Sequence, residues 1–203
     1  MKKTSPILFI VSSPSGAGKT TLCRKLLAEF SDLRFSVSHT TRKPRAKEVD
    51  GRDYYFVSDA VFDQMIEDDL FIEWAVVHGN RYGTSSAEVR AAATEGRDII
   101  FDVDFQGAQK IKEQYEGAIS VFVLPPSIGE LQRRLRMRGT ESEESLDKRF
   151  RAALNEIAKH GLFDFLVVND NLETAYDTLR AILIAERARH SRVAYLAEKI
   201  LDV

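Results

Sequence analysis

Ser13-Pro14-Ser15-Gly16-Ala17-Gly18-Lys19-Thr20 follows directly on the apolar run Ile7-Leu8-Phe9-Ile10-Val11. That order predicts a strand running into a phosphate-binding loop that opens a helix. Gly16 and Gly18 let backbone N–H groups turn onto an anion, Lys19 neutralises β and γ phosphate oxygens, and the Thr20 hydroxyl can hold Mg²⁺. The chemistry implied is binding of a nucleoside triphosphate. Ser13 stands where the G-x-x-x-x-G-K-[ST] pattern writes glycine, a small residue in place of a smaller one.

Beyond Lys19 the positive charge falls in two clusters. Arg42 and Arg45 sit in a basic loop, 39–53, and Arg133, Arg134, Arg136, Arg138, Arg149 and Arg151 surround Gly139. A kinase that brings MgATP and a nucleoside monophosphate together collects about four net negative charges in one cleft, against the Coulomb term, so several arginines must converge there. Arginine suits two-pronged grips on phosphate, whereas lysine acts as a point charge. Arg134 and Arg138 lie four apart on one helical face, where they could swing onto phosphates; beside Glu141, Glu143 and Glu144 the same cluster also fits a solvated face.

No general base stands out, and none is needed. A monophosphate oxygen is already largely ionised near neutral pH, so catalysis reduces to positioning and to stabilising charge on the transferred phosphoryl group. His39, His78, His160 and His190 have no metal-ligand spacing.

The elements that must position these groups follow from length and pattern. The 203 residues suffice for a sizeable core in one compact unit, and a net charge of −2 argues against nonspecific binding to nucleic acid or a membrane surface. The single cysteine, Cys23, excludes an internal disulfide and falls on an apolar helix face with Leu22, Leu26 and Leu27, the place of a packing residue. Lys2 and Lys3 before an apolar stretch mimic a secretory signal, but the run is short and ends in the phosphate loop; with no stretch long enough to span a membrane, the expected location is cytoplasmic.

Strands are expected at Ile7 to Ser12, Phe35 to Ser38, Asp98 to Asp102, Ile119 to Leu124 and Phe163 to Val168. Helices are expected at Thr20 to Phe30, from Ser85 through Glu95, at Phe105 to Glu116, from Ser127 through Arg138, from Thr140 to about His160, and at Glu173 to Arg189 and Arg192 to Leu201. Ser85 with Glu88, Ser127 with Glu130 and Thr140 with Glu143 read as capping boxes. Strands alternating with helices imply an α/β fold with a parallel sheet covered on both faces. Between the second core strand and the next helix lies a small unit, with strands at Tyr54 to Val57 and Phe71 to Val77 around a helix at Asp59 to Asp68 and a turn at Gly79-Asn80; it is either a second substrate's binding domain or a plain insertion.

Over nearly its whole length the chain resembles guanylate kinases. The likeness rests on Pro14 to Thr20, on Ser36-Val37-Ser38-His39-Thr40-Thr41-Arg42-Lys43-Pro44-Arg45, on Gly51-Arg52-Asp53-Tyr54-Tyr55-Phe56, on Phe71-Ile72-Glu73-Trp74-Ala75, on Tyr82-Gly83-Thr84, on Asp102-Val103-Asp104-Phe105-Gln106-Gly107, and on Arg138-Gly139-Thr140-Glu141 with Arg149.

The resemblance implies Mg²⁺-dependent transfer of the ATP γ-phosphoryl to GMP, with dGMP as a further acceptor, in a single domain of three parts. These are a P-loop core (1–38, 86–126 and 150–203), a monophosphate-binding subdomain (39–85) and a helical lid (127–149). It assigns ATP to Ser13, Pro14, Ser15, Gly16, Ala17, Gly18, Lys19, Thr20 and Thr21 with Arg134, Arg138, Asn169 and Asp170. It assigns the GMP phosphate to Ser38, Arg42, Arg45, Tyr54 and Tyr82, guanine to Glu73, Thr84 and Asp104, and Mg²⁺ to Thr20 and Asp102, directly or through water. Asp102 and Arg149 also border GMP, and Lys19, Arg42, Arg138 and Arg149 are the expected catalytic groups.

The base assignment has support in the residues themselves. Guanine offers donors at N1 and N2 and an acceptor at O6, which suits the carboxylates of Glu73 and Asp104 and the hydroxyl of Thr84; adenine would leave polar groups unpaired. Two other readings share the scaffold: a kinase for a ribosyl phosphate, and a phosphopeptide-binding module without ATP chemistry. Glu73 and Thr84 argue against the first, and Lys19, Thr20 and the lid arginines against the second. The last helices, with Ala194, Leu196, Ile200 and Leu201, can pack on the core or on a second subunit of a homo-oligomer.

Overall fold

A computed structural model describes residues 5–77, 79–137 and 143–201. Lys2, Lys3, His78, Arg138, Gly139, Thr140 and Glu141 therefore lie outside the described residues, and with them the Thr140 cap and the Arg138 site.

Strand β1 (Leu8–Ser12) is buried at every position, as a strand covered on both faces must be. It feeds the phosphate loop and α1 (Lys19–Glu29), which buries Leu22, Cys23 and Leu26. After β2 (Leu33–Phe35) the chain leaves for the inserted unit: β3 (His39–Thr40), β4 (Tyr55–Phe56), α2 (Asp59–Glu67), β5 (Phe71–Val77) and β6 (Asn80–Ser85). The core resumes with α3 (Ser86–Glu95), β7 (Asp98–Asp102), α4 (Phe105–Gln114) and β8 (Ile119–Leu124). Then come α5 (Ile128–Arg136), α6 (Glu143–Ile157), a 3-10 turn at His160–Leu162, β9 (Phe165–Val168), α7 (Leu172–Arg187) and α8 (His190–Leu201).

The core sheet runs β2-β7-β1-β8-β9 with every pair parallel, the α/β arrangement expected. On one face Phe9 and Val11 pack with Leu22 and Leu26 of α1 and Leu179 and Leu183 of α7. On the other, Ile10 and Phe101 pack with Val89 of α3 and Ile111 of α4. With β1 central, the loops after β1 and β7 open side by side at the carboxyl edge, where such sheets bind ligands. A second sheet, β4-β3-β6-β5, belongs to the insertion, and α5 and α6 close on a small cluster of their own around Leu131, Leu135 and Ala153.

Several local expectations need correction. Asn80–Ser85 is a strand that no alternation announced; it forms by antiparallel pairing with β5, and Gly83 is needed because a Cβ there would stand 2.7 Å from the Phe71 ring. β2 ends at Phe35, although the Ser36 N–H still reaches the Ile100 carbonyl at 2.9 Å. Ser85 caps α3 through the Ala87 N–H while Glu88 turns inward to Arg34 at 3.2 Å, so the pair is not a capping box. Ser127 does cap α5 through the Glu130 N–H, but the Glu130 carboxylate takes Arg133 and Arg134 instead of reaching back.

α8 buries none of its side chains, and Leu196, Ile200 and Leu201 are exposed, so these residues do not pack into the core. Cys23 is 2% exposed, and burial pushes its thiol well above the usual range. No helix among the described residues is long and apolar enough to cross a membrane.

Candidate active site

The phosphate loop holds its shape through two glycines in the left-handed region, Gly16 at φ 95° and Gly18 at φ 99°, where a side chain is strained. At Gly18 there is no room either, since a Cβ would lie 2.3 Å from Asn169 Nδ2. The loop leads into α1, whose N-terminus has no side-chain cap, whereas Ser58, Asp104, Ser127 and Asn171 cap α2, α4, α5 and α7. In the first turn of α1 the Thr21 N–H bonds to the Gly18 carbonyl at 3.1 Å, and the loop stands at the positive end of the helix dipole, which favours an anion.

Asn169, at the end of β9, braces the loop from behind. It is 5% exposed and donates its amide to the Ala17 carbonyl at 2.6 Å; Ala17 itself is wholly buried. Arg134 donates to the Asn169 carbonyl at 3.0 Å and to Glu130 at 2.7 Å. Thr21, Arg134, Asn169 and Asp170, together with Gly16, Gly18, Arg133 and Met137, line a separate shallow groove on this far side of the loop.

In the main cleft, Lys19 lies 2.6 Å from Asp102 Oδ1 and donates to the Val103 carbonyl at 2.8 Å. Burial alone would lower the Lys19 pKa; the adjacent Asp102 carboxylate more than offsets it and holds the ammonium above its usual value. The Thr20 hydroxyl reaches Asp102 Oδ2 at 3.4 Å. A hydroxyl beside a carboxylate is the hard-oxygen donor set that suits Mg²⁺. Among the described residues no three His, Cys, Asp or Glu side chains form a ready metal cage.

Ser13, Pro14, Ser15, Gly16, Gly18, Lys19 and Thr20 form one wall of the cleft; Ser38, with Tyr54, Glu73, Ala75, Val77 and Tyr82 of the insertion, forms the other. Asp102, Val103 and Asp104 lie between them, and Glu156 closes the side. Glu73 is 6% exposed and accepts the Thr84 hydroxyl at 2.6 Å. Burial pushes its carboxyl up to about 7, opposed by the Thr84 hydrogen bond and reinforced by the Asp104 charge. Asp104 caps α4 by accepting the Gly107 N–H at 2.9 Å. Two carboxylates beside the apolar side chains of Ala75 and Val77 make a slot for a flat ligand edge rich in N–H donors.

The arginines of the insertion flank the cleft without lining it. Arg42 donates to the Tyr82 hydroxyl at 3.1 Å, to both Glu48 oxygens at 2.9 and 3.0 Å and to the Lys43 carbonyl at 2.8 Å. It also lies 5.4 Å from the Tyr54 ring centroid. Tyr82 accepts in this contact and so keeps its own hydrogen for a ligand. Arg45 faces a neighbouring groove with Thr20, Tyr54 and Asp102, and its backbone N–H is held by Glu48 at 2.7 Å. Burial, then Asp102, raises the Tyr54 phenol and keeps it protonated.

From α6, Arg149 donates to the Ser15 hydroxyl at 3.0 Å. Seven residues on, Glu156 enters the same cleft, a position that the sequence did not single out. Burial drives its carboxyl up to about 7, with Lys19 and the Ser15 backbone N–H opposing and Asp104 adding to the rise. The one hint in the sequence is helical spacing, which sets positions 149, 153 and 156 on one face of α6.

Comparison with known proteins points to one family. The family model described as guanylate kinase matches residues 5–186. A guanylate kinase of Geobacter metallireducens is 47% identical over 201 residues, which covers 99% of each chain. One from Caldanaerobacter subterraneus subsp. tengcongensis is 44% identical, covering 98% of this chain and 97% of its own. The crystal structure of guanylate kinase from Anaplasma phagocytophilum superposes with a TM-score of 0.79 at 33% identity, over 95% of this chain and 92% of that one.

Proposed function

The chain belongs to the guanylate kinase family and is an ATP:GMP phosphotransferase, and we propose that the cleft between the phosphate loop and the inserted sheet carries out the transfer with the residues that line it. An oxygen of the GMP phosphate attacks the γ-phosphorus of ATP in line, the bond to the β-phosphate oxygen breaks, and GDP and ADP leave. The observation that carries this reading is the pairing, in one cleft, of Lys19 on the phosphate loop with a buried Glu73–Thr84 pair facing Asp104 at the other end.

Lys19 leaves Asp102 for the β and γ phosphate oxygens, and the uncapped start of α1 receives the β-phosphate. Glu73 accepts guanine N1–H and N2–H, Asp104 adds an acceptor at the same edge, and the Thr84 hydroxyl turns from Glu73 to O6. Ser38, Tyr54 and Tyr82 donate to the GMP phosphate, with Arg42 and Arg45 closing on it from the flanks. Arg149, with Arg138, stabilises charge on the phosphoryl group in flight, as the segment 127–149 acts as the lid, while the groove of Arg134, Asn169 and Asp170 takes adenine. Thr20 and Asp102 would hold the Mg²⁺ that accompanies ATP and offsets the charge of its phosphates. dGMP is a second acceptor, because none of these contacts needs the 2′-hydroxyl. The proposed setting is the cytoplasm, typical of the family.

A coupled assay of ADP formation from MgATP with GMP, dGMP, AMP or UMP tests the proposal. Turnover confined to the guanine nucleotides, and lost to GMP in Glu73→Ala, supports it; equal turnover of AMP overturns the base site.

A further inference from the structure

Gly107 stands in the first turn of α4, between the two carboxylates of the cleft. Its N–H donates to Asp104 Oδ1 at 2.9 Å. On its other side, a Cβ would lie 3.0 Å from both Cδ and Oε2 of Glu73 and 3.1 Å from the Val103 Cβ. Carbon atoms settle at about 3.5–4.0 Å, so an added methyl requires these neighbours to give way. Neither neighbour retreats easily. Glu73 is buried and tied to Thr84 at 2.6 Å, and the Val103 Cβ is fixed to the backbone one residue past β7. One turn further along α4, Lys110 donates to the Trp74 carbonyl, anchoring the helix beside β5. Glycine is among the weakest helix formers, so position 107 does not hold it for the helix's sake.

We propose that Gly107 is a positioning residue for base recognition: its missing side chain sets how closely α4 approaches the Glu73 carboxylate, while its N–H aims Asp104 at the same ligand edge. The proposal rests on the assignment of Glu73 to guanine.

Gly107→Ala, made alone and in Glu73→Ala, tests it. The readouts are GMP affinity by calorimetry, kcat/KM for GMP, KM for MgATP, and Tm. In the otherwise native protein, GMP affinity and kcat/KM should fall roughly tenfold or more, with the MgATP KM and Tm held. In the Glu73→Ala background, where the methyl no longer meets the carboxylate and only the Val103 Cβ remains beside it, kcat/KM for GMP should change less than about twofold further. Unchanged GMP affinity in Gly107→Ala overturns the proposal, as does an equal loss in both backgrounds, which would place the effect on Asp104 or the helix. A fall in Tm with parallel weakening of MgATP would mark a merely structural role. If Glu73→Ala alone binds GMP like the native protein, the guanine assignment itself fails, an outcome separate from all of these.

Discussion

Thr84 and Glu73 share one hydrogen, at 2.6 Å, inside the protein. Thr84 is wholly buried, so its hydroxyl can serve Glu73 or a ligand acceptor, but its single hydrogen cannot serve both. An ionised Glu73 accepts two N–H groups of guanine, whereas a protonated one has a hydrogen that meets a donor. With its carboxyl raised to about 7, GMP binding should take up the ionised form and tighten as pH rises through that value. Calorimetric titration of GMP without ATP across the pH range should show this dependence, and Glu73→Gln should weaken and flatten it. A slope that survives in Glu73→Gln would assign the proton elsewhere.

The same shift bears on stability. Glu73 binds its proton more tightly folded, near 7, than at its ordinary value of 4.5, so its stabilising effect is complete below about 4.5 and is lost as pH rises through about 7. Glu73→Gln, which cannot ionise, should therefore gain on the native protein by on the order of 1–3 kcal/mol between pH 5 and 8. Tm measured at both ends reads the difference; a gap that does not change with pH rules the linkage out.

Lys19→Ala removes the charge that the proposed transfer aims at the phosphoryl group and leaves Asp102 without its 2.6 Å partner. kcat should fall roughly a hundred- to thousand-fold, while GMP binding in the absence of ATP stays within about twofold. Steady-state kinetics and calorimetry separate the two. Loss of GMP binding as well would mean that Lys19 organises the whole cleft and not the triphosphate alone.

Asn169→Ala takes away the amide that holds the Ala17 carbonyl and opens a hole beside Gly18. The loop should lose its set shape and the KM for MgATP should rise by about tenfold, again with GMP binding untouched. Asn169→Asp should be worse, because it turns a buried carboxylate onto a carbonyl. If both variants bind MgATP normally, the brace is dispensable.

The core of the fold was legible because its signals are local. Phe9 to Val11 and Ile99 to Phe101 are apolar runs with clear ends, and Ser13 to Thr20 is dictated by backbone needs that few sequences meet. β6 was not legible: its pairing with β5 and the Phe71 ring over Gly83 are tertiary facts with no trace in the alternation of Arg81 to Ser85. At the site, residue types and spacing pointed to Lys19, and the family resemblance to Glu73 and Asp104, but neither gave the partners that occupy them. Glu88 was read as a cap and instead serves Arg34, and Arg42 is held by Glu48, a residue that the charge count merely balanced. Glu156 escaped notice because a lone acidic residue on a long helix looks like any solvated position.

The protein's own carboxylates, Asp102 on Lys19 and Glu156 near the Ser15 N–H, already contend for the ground that a phosphate would take. Orthophosphate has only its charge with which to displace them. A nucleotide brings a base and a sugar as well, and those further contacts carry it past the competition. A cleft whose cation is already paired with a carboxylate favours a ligand that brings contacts beyond its phosphate.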